Sequence, residues 1–504
     1  MILATLLLAA SVDPVLAHYE KHESERLVPM LSEVIQFPTH QYDAEAHVAQ
    51  KAWLAKVAGD LGFVARDAGK VTEIELPGPP DAPVLGLVIH GDVQPADAEA
   101  WSFSPWEGRV ENGYVLGRGA ADDKGPLIQA LLAMKALAES GVERTHTIRL
   151  LVGSEEESSA TEMQEYLAAH KPPDYSLVLD SEFPVVVGEK AWDGLGLVTT
   201  LTSRAGVKNI AAKPYTVGSI DAGLSPSIVP DRAEAKLLWT RDGAADWAPV
   251  IAGLKQFKMP EGTRLVVEPD GDQLRVVAYG KSAHSGVNLS GGRNALVALA
   301  KALEGRLPSG GADDLLAFAR LAGQDLHGTG LGITDNDPIW GRYGVNVATV
   351  KPVERDPSKF MLYINLRRIP PRTGPQAKAH LLSVLEQFNR RTGASLAIDE
   401  SKSWFIDEPL GFDPNAKIVK RLMAAYTRAT GVKNPKPAIS GGGTYAKRLP
   451  NAIAFGMWFP GKPYPGHDVD EKIPIDDLQR GAKVLIHALV DLATGPRLEG
   501  AFAP

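Results

Sequence analysis

The sequence predicts an α/β protein with a mostly parallel sheet flanked by helices, and with a large α+β domain inserted into it. Short apolar runs, typical of strands buried on both faces, alternate with amphipathic helical stretches in the first third of the chain. The same pattern returns near the end of the chain. Between these parts lie strands of alternating polarity, so the middle of the chain forms a separate domain.

The first third supplies the predicted parallel strands and the helix that connects them. Apolar runs at 84–89, 147–152 and 176–179 predict three buried strands. The stretch 126–140 has proline in its first turn and apolar residues at helical spacing, so it predicts a helix. Strands that alternate with helices in this way form a parallel sheet covered on both faces.

Later segments complete the two predicted domains. The run 452–457 predicts another buried strand, and apolar residues from Leu478 to Leu492 predict a last helix that ends before Gly495. A chain of 504 residues requires more than one core. We predict a first segment at 18–190, an insertion at 191–407 long enough for two subdomains, and a second segment at 408–504.

Composition excludes several classes of protein. A net charge of −8 without any Lys/Arg-rich run argues against nucleic-acid binding. The chain has no cysteine, which excludes disulfides and thiolate metal sites. Any metal ion must therefore be bound by His, Asp and Glu.

The amino-terminal residues resemble a secretory signal. Residues 2–12 are almost wholly apolar, and Pro14-Val15-Leu16-Ala17 precedes a polar run. This pattern predicts a signal peptide at 1–17, cleavage after Ala17 and export to the periplasm. The alternative is an amino-terminal segment that is not a signal, in a cytoplasmic protein. No later segment reaches about 18 apolar residues, so we expect no membrane span.

Histidine and carboxylate side chains cluster at the predicted strand ends. Ligands of an open parallel sheet bind beyond the carboxyl ends of its strands. Five segments deliver such residues to that edge, namely His90 with Asp92, Asp122 with Asp123, the glutamates at 155–157, Asp180, and His467. So many carboxylates would repel one another without cations, and two divalent ions that share a carboxylate are the simplest compensation.

These motifs resemble those of a co-catalytic di-zinc metallopeptidase family. The family includes aminoacylase, acetylornithine deacetylase and succinyl-diaminopimelate desuccinylase, and the chain most resembles its bacterial PepV-like dipeptidases. The resemblance covers 26–492 and rests on His90-Gly91-Asp92-Val93, Gly117-Arg118-Gly119, Asp122-Asp123-Lys124-Gly125-Pro126, Gly153-Ser154-Glu155-Glu156-Glu157-Ser158, Asp180-Ser181-Glu182-Phe183-Pro184 and His467.

The resemblance implies a role for each residue of the site. It implies two Zn²⁺ ions per chain, with Co²⁺ or Mn²⁺ as substitutes, and five ligands: His90, Asp122, Glu157, Asp180 and His467. The carboxylate of Asp122 bridges the two ions, the peptide bond between Asp122 and Asp123 is cis, and Asp92 orients His90. Glu156 is the implied general base. Glu155 is the alternative for that role, because three adjacent glutamates allow the alignment with the family motif to shift by one residue.

Three further motifs concern the substrate. Lys281-Ser282-Ala283-His284-Ser285 resembles the family motif whose histidine stabilises the oxyanion, and Arg367 matches the arginine that holds the substrate carboxylate. The loop Ser440-Gly441-Gly442-Gly443-Thr444 resembles a PepV-like glycine loop, whose N–H groups can cradle a carboxylate. The alternative interpretation of this loop is a turn without a binding role. A phosphate-binding loop would be followed by Gly-Lys-Ser or Gly-Lys-Thr, which this sequence lacks after residue 444. Ser227 departs from the family, which has asparagine there.

The expected function is that of a zinc-dependent dipeptidase that hydrolyses dipeptides or short peptides through a water between the metals. The alternatives are an N-acyl amino acid deacylase or a carboxypeptidase of the same family, and a non-catalytic binding protein on this fold. The expected partner is a small peptide substrate. We expect a monomer, because the inserted lid domain is longer than the insertion that smaller relatives use to dimerise.

Overall fold

The structure, a computed structural model, describes residues 10–201, 213–462 and 464–504. The chain divides into two compact units. Unit 1 comprises Met1–Glu189 and Leu410–Pro504, and unit 2 comprises Lys190–Pro409. The insertion predicted from the sequence, 191–407, differs from unit 2 by one residue at its start and two at its end.

The described residues form eleven α-helices. In chain order they are α1 Asp13–His18, α2 Leu27–Ile35, α3 Ala44–Asp60, α4 Lys124–Glu139, α5 Glu162–Ala169, α6 Ala248–Lys255, α7 Ala295–Ala302, α8 Gly311–Ala322, α9 Gly374–Thr392, α10 Lys417–Thr430 and α11 Ile475–Ala493. Helices α6 to α9 belong to unit 2.

The strands before unit 2 are β1 Val64–Ala68, β2 Val71–Leu76, β3 Val84–His90, β4 Arg109–Glu111, β5 Tyr114–Leu116, β6 Thr147–Gly153, β7 Tyr175–Val178, β8 Ser181–Glu182 and β9 Val186–Glu189. Those of unit 2 are β10 Ala191–Thr200, β11 Tyr215–Ala222, β12 Arg232–Trp239, β13 Arg264–Asp270, β14 Gln273–Tyr279, β15 Asn336–Asp337, β16 Gly341–Arg342, β17 Gly344–Val353, β18 Asp356–Arg368 and β19 Ala397–Ile398. Those after it are β20 Leu410–Gly411, β21 Ala438–Ser440, β22 Ala452–Ala454, β23 Met457–Trp458 and β24 Lys472–Pro474.

Unit 1 is built on a six-stranded sheet in the order β1-β2-β6-β3-β7-β22. Strands β6, β3, β7 and β22 are parallel, and β1 and β2 join antiparallel at one edge. Both faces of β3 are buried: Leu87 and Ile89 belong to one hydrophobic cluster and Val88 to another. This is why the sequence of β3 is an unbroken apolar run, as expected for a parallel strand between two layers.

The parallel register brings the polar strand ends to one edge of the sheet. His90 pairs with Gly153 at the ends of β3 and β6, and Val88 pairs with Val178 at the end of β7. The residues that follow these strands therefore emerge side by side. Helix α4, which is buried along most of its length, begins at Lys124 and so presents Asp122 and Asp123 just before its first turn.

The predicted strand at 452–457 is divided in two. Strand β22 ends at Ala454, and β23 begins at Met457 and pairs with β8 instead of β7. The Gly456–Met457 peptide bond between them is cis, and Gly456 has a φ of 75°. A Cβ on Gly456 would approach the ring of Phe183 to 2.4 Å, so the turn requires glycine.

Unit 2 contains an eight-stranded sheet in the order β13-β14-β12-β11-β17-β18-β10-β19, whose pairings are antiparallel. Residues of helices α7, α8 and α9 pack with apolar side chains of this sheet in one hydrophobic cluster. The division of the insertion into two subdomains stays a prediction, although one sheet runs through the unit.

The predicted signal peptide is described only in part. Residues 1–9 lie outside the described residues. Helix α1 spans the predicted cleavage point after Ala17, and its Val15 is fully buried in the main cluster of unit 1. Cleavage and export stay predictions. Among the described residues, helices long and apolar enough to cross a bilayer are absent.

Candidate metal centre

His90, the last residue of β3, is fully buried, with its two ring nitrogens in different surroundings. Nδ1 lies 2.9 Å from the carbonyl oxygen of Asp92. A carbonyl only accepts hydrogen bonds, so Nδ1 carries a hydrogen and donates it. Nε2 faces the Oδ1 atom of Asp122 at 2.9 Å. This is the arrangement of a metal-binding histidine, in which one nitrogen is held by a neighbour and the other presents its lone pair.

Asp122 lies between two histidines. Its Oδ1 atom faces His90, and its Oδ2 atom lies 3.2 Å from Nε2 of His467. The peptide bond to Asp123 is cis, which confirms the prediction from the resemblance. One carboxylate therefore presents its two oxygens to two separate groups of side chains.

Glu157 and Asp180 complete these two groups. Oε1 of Glu157 lies 2.8 Å from Nε2 of His467, and Oε2 of Glu157 accepts from Nε2 of Gln94 at 2.9 Å. Oδ2 of Asp180 lies 3.9 Å from Nε2 of His90. The structure thus brings together all five residues predicted as metal ligands.

The five side chains form two triads that share Asp122. The triads are His90, Asp122 and Asp180, and Asp122, Glu157 and His467, and the candidate ligand atoms of each lie within 4.8 Å of one another. Imidazole nitrogen and carboxylate oxygen are the donors that zinc binds. The donor set therefore fits two divalent ions with one bridging carboxylate.

Burial and crowding set the electrostatics of the cluster. Burial raises the pKa of the Asp180 carboxyl well above its ordinary value, and the nearby Asp122 adds to this. Burial lowers the pKa of His467, but Glu157 and Asp122 outweigh it and raise the pKa to about 10. Positive charge stabilises the ionised form of carboxylates that are buried close to one another, and bound cations would supply that charge.

Asp92 supports both His90 and the loop at 154–158, which we call the base loop. The Oδ1 atom of Asp92 accepts the N–H of Glu156 at 3.2 Å, and its Oδ2 atom accepts the N–H of Glu157 at 3.0 Å. Oδ1 also lies 3.6 Å from Nδ1 of His90. Asp92 therefore fixes the backbone of the two glutamates relative to the histidine.

Glu155 and Glu156 differ in their surroundings. The carboxylate of Glu155 bonds to Lys70 at 3.0 Å and to Ser159 at 2.7 Å. Burial raises the pKa of the Glu156 carboxyl well above its ordinary value, with His90 opposing this rise and Glu157 reinforcing it. Glu156 thus lies among the charges of the cluster, whereas Glu155 is held by a lysine outside it.

A buried ion pair that the sequence analysis missed supports Asp122 from behind. Oε1 of Glu471 accepts the N–H groups of Ala121 and Asp122 at 2.9 and 3.2 Å. Its Oε2 atom accepts from Nη1 of Arg118 at 2.7 Å, and both side chains are buried. Glu471 follows His467 by four residues, but no local pattern in the sequence indicates its partners.

The glycine loop, residues 440–444, has two of its N–H groups engaged within unit 1. The N–H of Gly442 donates to Oγ of Ser440 at 3.0 Å, and the N–H of Thr444 donates to Glu189 at 3.0 Å. Thr444 therefore anchors the loop. The N–H groups of Gly441 and Gly443 have no hydrogen-bond partner in the part of the chain that the structure describes, and backbone N–H groups of this kind can bind an anion.

His284 and Arg367, predicted to contact substrate, belong to unit 2. Nδ1 of His284 accepts the N–H groups of Gly286 and Val287 at 2.9 and 3.0 Å, so Nε2 carries the hydrogen. Nε of Arg367 donates to Oδ1 of Asn365 at 3.0 Å, and its Nη2 donates to Oγ of Ser285 at 3.1 Å. The arginine is therefore held in a fixed orientation although it is almost fully buried.

Comparison with known proteins identifies the class of this protein. A sequence profile of peptidase family M20/M25/M40 matches residues 86–491, which is most of the chain. The chain therefore belongs to this family and is a metallopeptidase, a hydrolase that acts on peptide bonds.

Two curated relatives are 27% identical to this chain. A Bacillus subtilis protein, over 411 residues, and a Staphylococcus haemolyticus protein, over 412 residues, are each named "Putative dipeptidase". Each comparison covers 81% of this chain and 83% of the relative.

Solved structures share the fold at low sequence identity. Human carnosine dipeptidase 1 has a TM-score of 0.61 and 13% identity, covering 96% of this chain and 99% of its own. The di-peptidase Dug1p of Saccharomyces cerevisiae has a TM-score of 0.59 and 14% identity, covering 95% and 98%. The metallo-carboxypeptidase Sso-CP2 of Sulfolobus solfataricus has a TM-score of 0.53 and 17% identity, covering 92% and 98%.

Proposed function

We propose that this protein is a dipeptidase that hydrolyses dipeptides and similarly short peptides with two zinc ions per chain, which Co²⁺ or Mn²⁺ can replace. The main support is Asp122, whose two carboxylate oxygens lie 2.9 and 3.2 Å from the Nε2 atoms of His90 and His467. One carboxylate shared by two donor triads is the arrangement of a two-metal hydrolase. The names of the curated relatives support the substrate class.

Each triad would hold one ion. His90, Asp122 and Asp180 would bind the first, and Asp122, Glu157 and His467 the second. When bound, the ions would polarise the scissile carbonyl and lower the pKa of the attacking water.

Glu156 is the residue that we assign to proton transfer. It belongs to neither triad, and its N–H is fixed by the Asp92 carboxylate at 3.2 Å. Its carboxylate takes the proton of the attacking water and passes it to the leaving nitrogen, as a general base and then a general acid. Glu155 is less suited to this role because its carboxylate is paired with Lys70.

The remaining predicted residues bind the substrate in this proposal. His284 donates from Nε2 to the oxyanion, a role that requires the tautomer fixed by Gly286 and Val287. Arg367 and the N–H groups of Gly441 and Gly443 hold the terminal carboxylate, which restricts the enzyme to short substrates.

The reaction is tested with a panel of dipeptides, matched N-acetyl amino acids and longer peptides. We expect the metal-loaded protein to cleave dipeptides with the highest kcat/KM. Faster cleavage of N-acetyl amino acids would make the protein a deacylase, and equal cleavage of longer peptides would make it a carboxypeptidase. Either result contradicts the proposal.

Metal dependence is tested by chelation. We expect EDTA to abolish activity and zinc to restore it, with two zinc ions per chain by elemental analysis. Full activity in a metal-free preparation would overturn the two-metal proposal, and one ion per chain would exclude the bridging role of Asp122.

A further inference from the structure

The hydroxyl group of Tyr445 joins the glycine loop to the base loop. Tyr445 directly follows Thr444 in the chain and is 1% exposed. Its hydroxyl donates a short hydrogen bond to Oε1 of Glu162, and the same oxygen accepts the N–H of Glu155 at 3.1 Å. One carboxylate oxygen thus connects the residue after the glycine loop with the residue before Glu156.

Both ends of this connection are fixed to the site. At one end, the N–H and the hydroxyl of Thr444 donate to Glu189 at 3.0 and 2.7 Å. At the other end, the N–H groups of Glu156 and Glu157 donate to Asp92. Hydrogen bonds within unit 1, together with the covalent links Thr444–Tyr445 and Glu155–Glu156, therefore connect the glycine loop to Asp92, which supports His90.

The backbone is shaped to admit this tyrosine. Gly153 ends β6, and a Cβ at this position would lie 2.0 Å from the hydroxyl oxygen of Tyr445. Any other residue at 153 would displace the hydroxyl from Glu162. The hydrogen bond is also buried, because Glu162 is 1% exposed, and a charged acceptor away from water makes it stronger than an exposed one.

We propose that Tyr445 is a positioning residue that aligns the base loop with the substrate held by the glycine loop. Its hydroxyl holds Glu162, and Glu162 holds the N–H of Glu155, which fixes the backbone that carries Glu156. Without the hydroxyl, the Glu162 carboxylate turns away and the base loop loses one of its anchors. This inference rests on the proposed function, since it assigns the base to Glu156 and the substrate carboxylate to the glycine loop.

The first test is Tyr445→Phe, which keeps the buried ring and removes only the hydroxyl. We expect kcat to fall roughly tenfold to a hundredfold, the effect of losing a buried hydrogen bond to a charged group. We expect KM to change by less than about threefold and metal content to stay the same, because the substrate and metal contacts are unaltered. An unchanged kcat, or a rise in KM alone, would overturn the proposal.

The chain provides a matched control and a conservative variant. Tyr166 makes the same type of buried hydrogen bond to Glu73 and packs in the same hydrophobic cluster as Tyr445. Tyr166→Phe should therefore leave kcat unchanged, and an equal fall in both variants would refute positioning. Glu162→Gln retains an oxygen that accepts from Tyr445 and Glu155, so it should keep most of the activity that Glu162→Leu loses.

Hydrogen–deuterium exchange of the metal-loaded protein supplies a readout independent of turnover. We expect the peptide that contains residues 154–158 to exchange faster in Tyr445→Phe than in the wild type or in Tyr166→Phe. Equal exchange in all three would contradict the positioning role. If the wild type cleaves no peptide, the proposed function fails, and the exchange comparison still decides what Tyr445 does.

Discussion

Glu155, Glu156 and Glu157 are adjacent in the sequence but occupy three different environments. Glu155 pairs with Lys70, and Glu157 faces His467 at 2.8 Å. The backbone N–H groups of Glu156 and Glu157 are both fixed by Asp92. The surroundings of each carboxylate, and not its position in the motif, therefore determine what it can do.

Glu156→Gln tests the assignment of the base. The amide has nearly the shape of the carboxylate but cannot accept a proton, so we expect kcat to fall by about 10²–10⁴-fold while both metal ions remain bound. Steady-state kinetics and elemental analysis of the same sample measure the two effects. Glu155→Gln is the matched control and should stay active, and a reversal of the two results would move the base to Glu155.

Arg118→Met tests the buried ion pair behind Asp122. The change leaves the Glu471 carboxylate buried without its guanidinium partner, so we expect a loss of about 3–5 kcal/mol in the free energy of unfolding. Urea denaturation followed by circular dichroism measures this loss. Arg109→Met removes an exposed pair with Glu111 and should cost less than about 1 kcal/mol. Equal losses in both variants would refute a special role for Arg118.

At the scale of elements, local sequence patterns predicted the strands and helices that have a regular apolar period. The strand predicted at 84–89 is β3, Val84–His90, and the helix predicted at 126–140 is α4, Lys124–Glu139. Such elements can be predicted from the local sequence, because the spacing of their own apolar residues determines which face each element buries. The run at 452–457 was apolar throughout but forms β22 and β23, since the turn at Gly456 depends on packing against Phe183.

The supporting residues of the site could not be predicted from local patterns. Glu471 is separated from Arg118 by 353 positions, and Tyr445 is separated from Glu162 by 283. These contacts exist only after the sheet has brought distant segments together. Three of the predicted ligands could be found from the sequence because His90, Glu157 and Asp180 lie at or shortly after the ends of β3, β6 and β7, where a parallel sheet collects its ligands.

Metal ions should also stabilise the elements whose ends form the site. Four of the five ligands lie at or after the ends of β3, β6 and β7 or just before α4, and His467 lies between β23 and β24, so bound ions tie these segments together and offset the repulsion between carboxylates. A ligand at 100 times its Kd adds about 2.7 kcal/mol of stability. Since a unit of this size shifts by roughly 2 °C per kcal/mol, EDTA should lower Tm by roughly 5 °C.

Differential scanning calorimetry with and without EDTA measures this shift. Glu156→Gln should show the full shift because it keeps the five ligands, and Asp122→Asn should show little because it removes the shared one. A shift of the same size in Asp122→Asn would mean that the stabilising ions bind elsewhere.

At the scale of the whole molecule, we predict a functional monomer. Unit 2 spans Lys190–Pro409 and has its own eight-stranded sheet and hydrophobic cluster, so it is a complete domain in each chain. In the smaller relatives that the sequence resembles, a shorter insertion forms the dimer and the partner subunit provides the oxyanion histidine. We expect each chain of this protein to use its own His284. Sedimentation should therefore give a mass near that of one chain, 53.9 kDa.

Mixing two inactive variants distinguishes a histidine that acts within its own chain from one that acts across a dimer. His284→Ala lacks the oxyanion donor and Glu156→Gln lacks the base, so each should be inactive alone. If every chain is self-contained, a mixture of the two stays inactive, because no site holds both residues. In a dimer that exchanged His284, mixed dimers would contain one site with both residues and up to about a quarter of the wild-type activity would return. Recovery of that size, together with a dimeric mass, would show that the prediction is wrong.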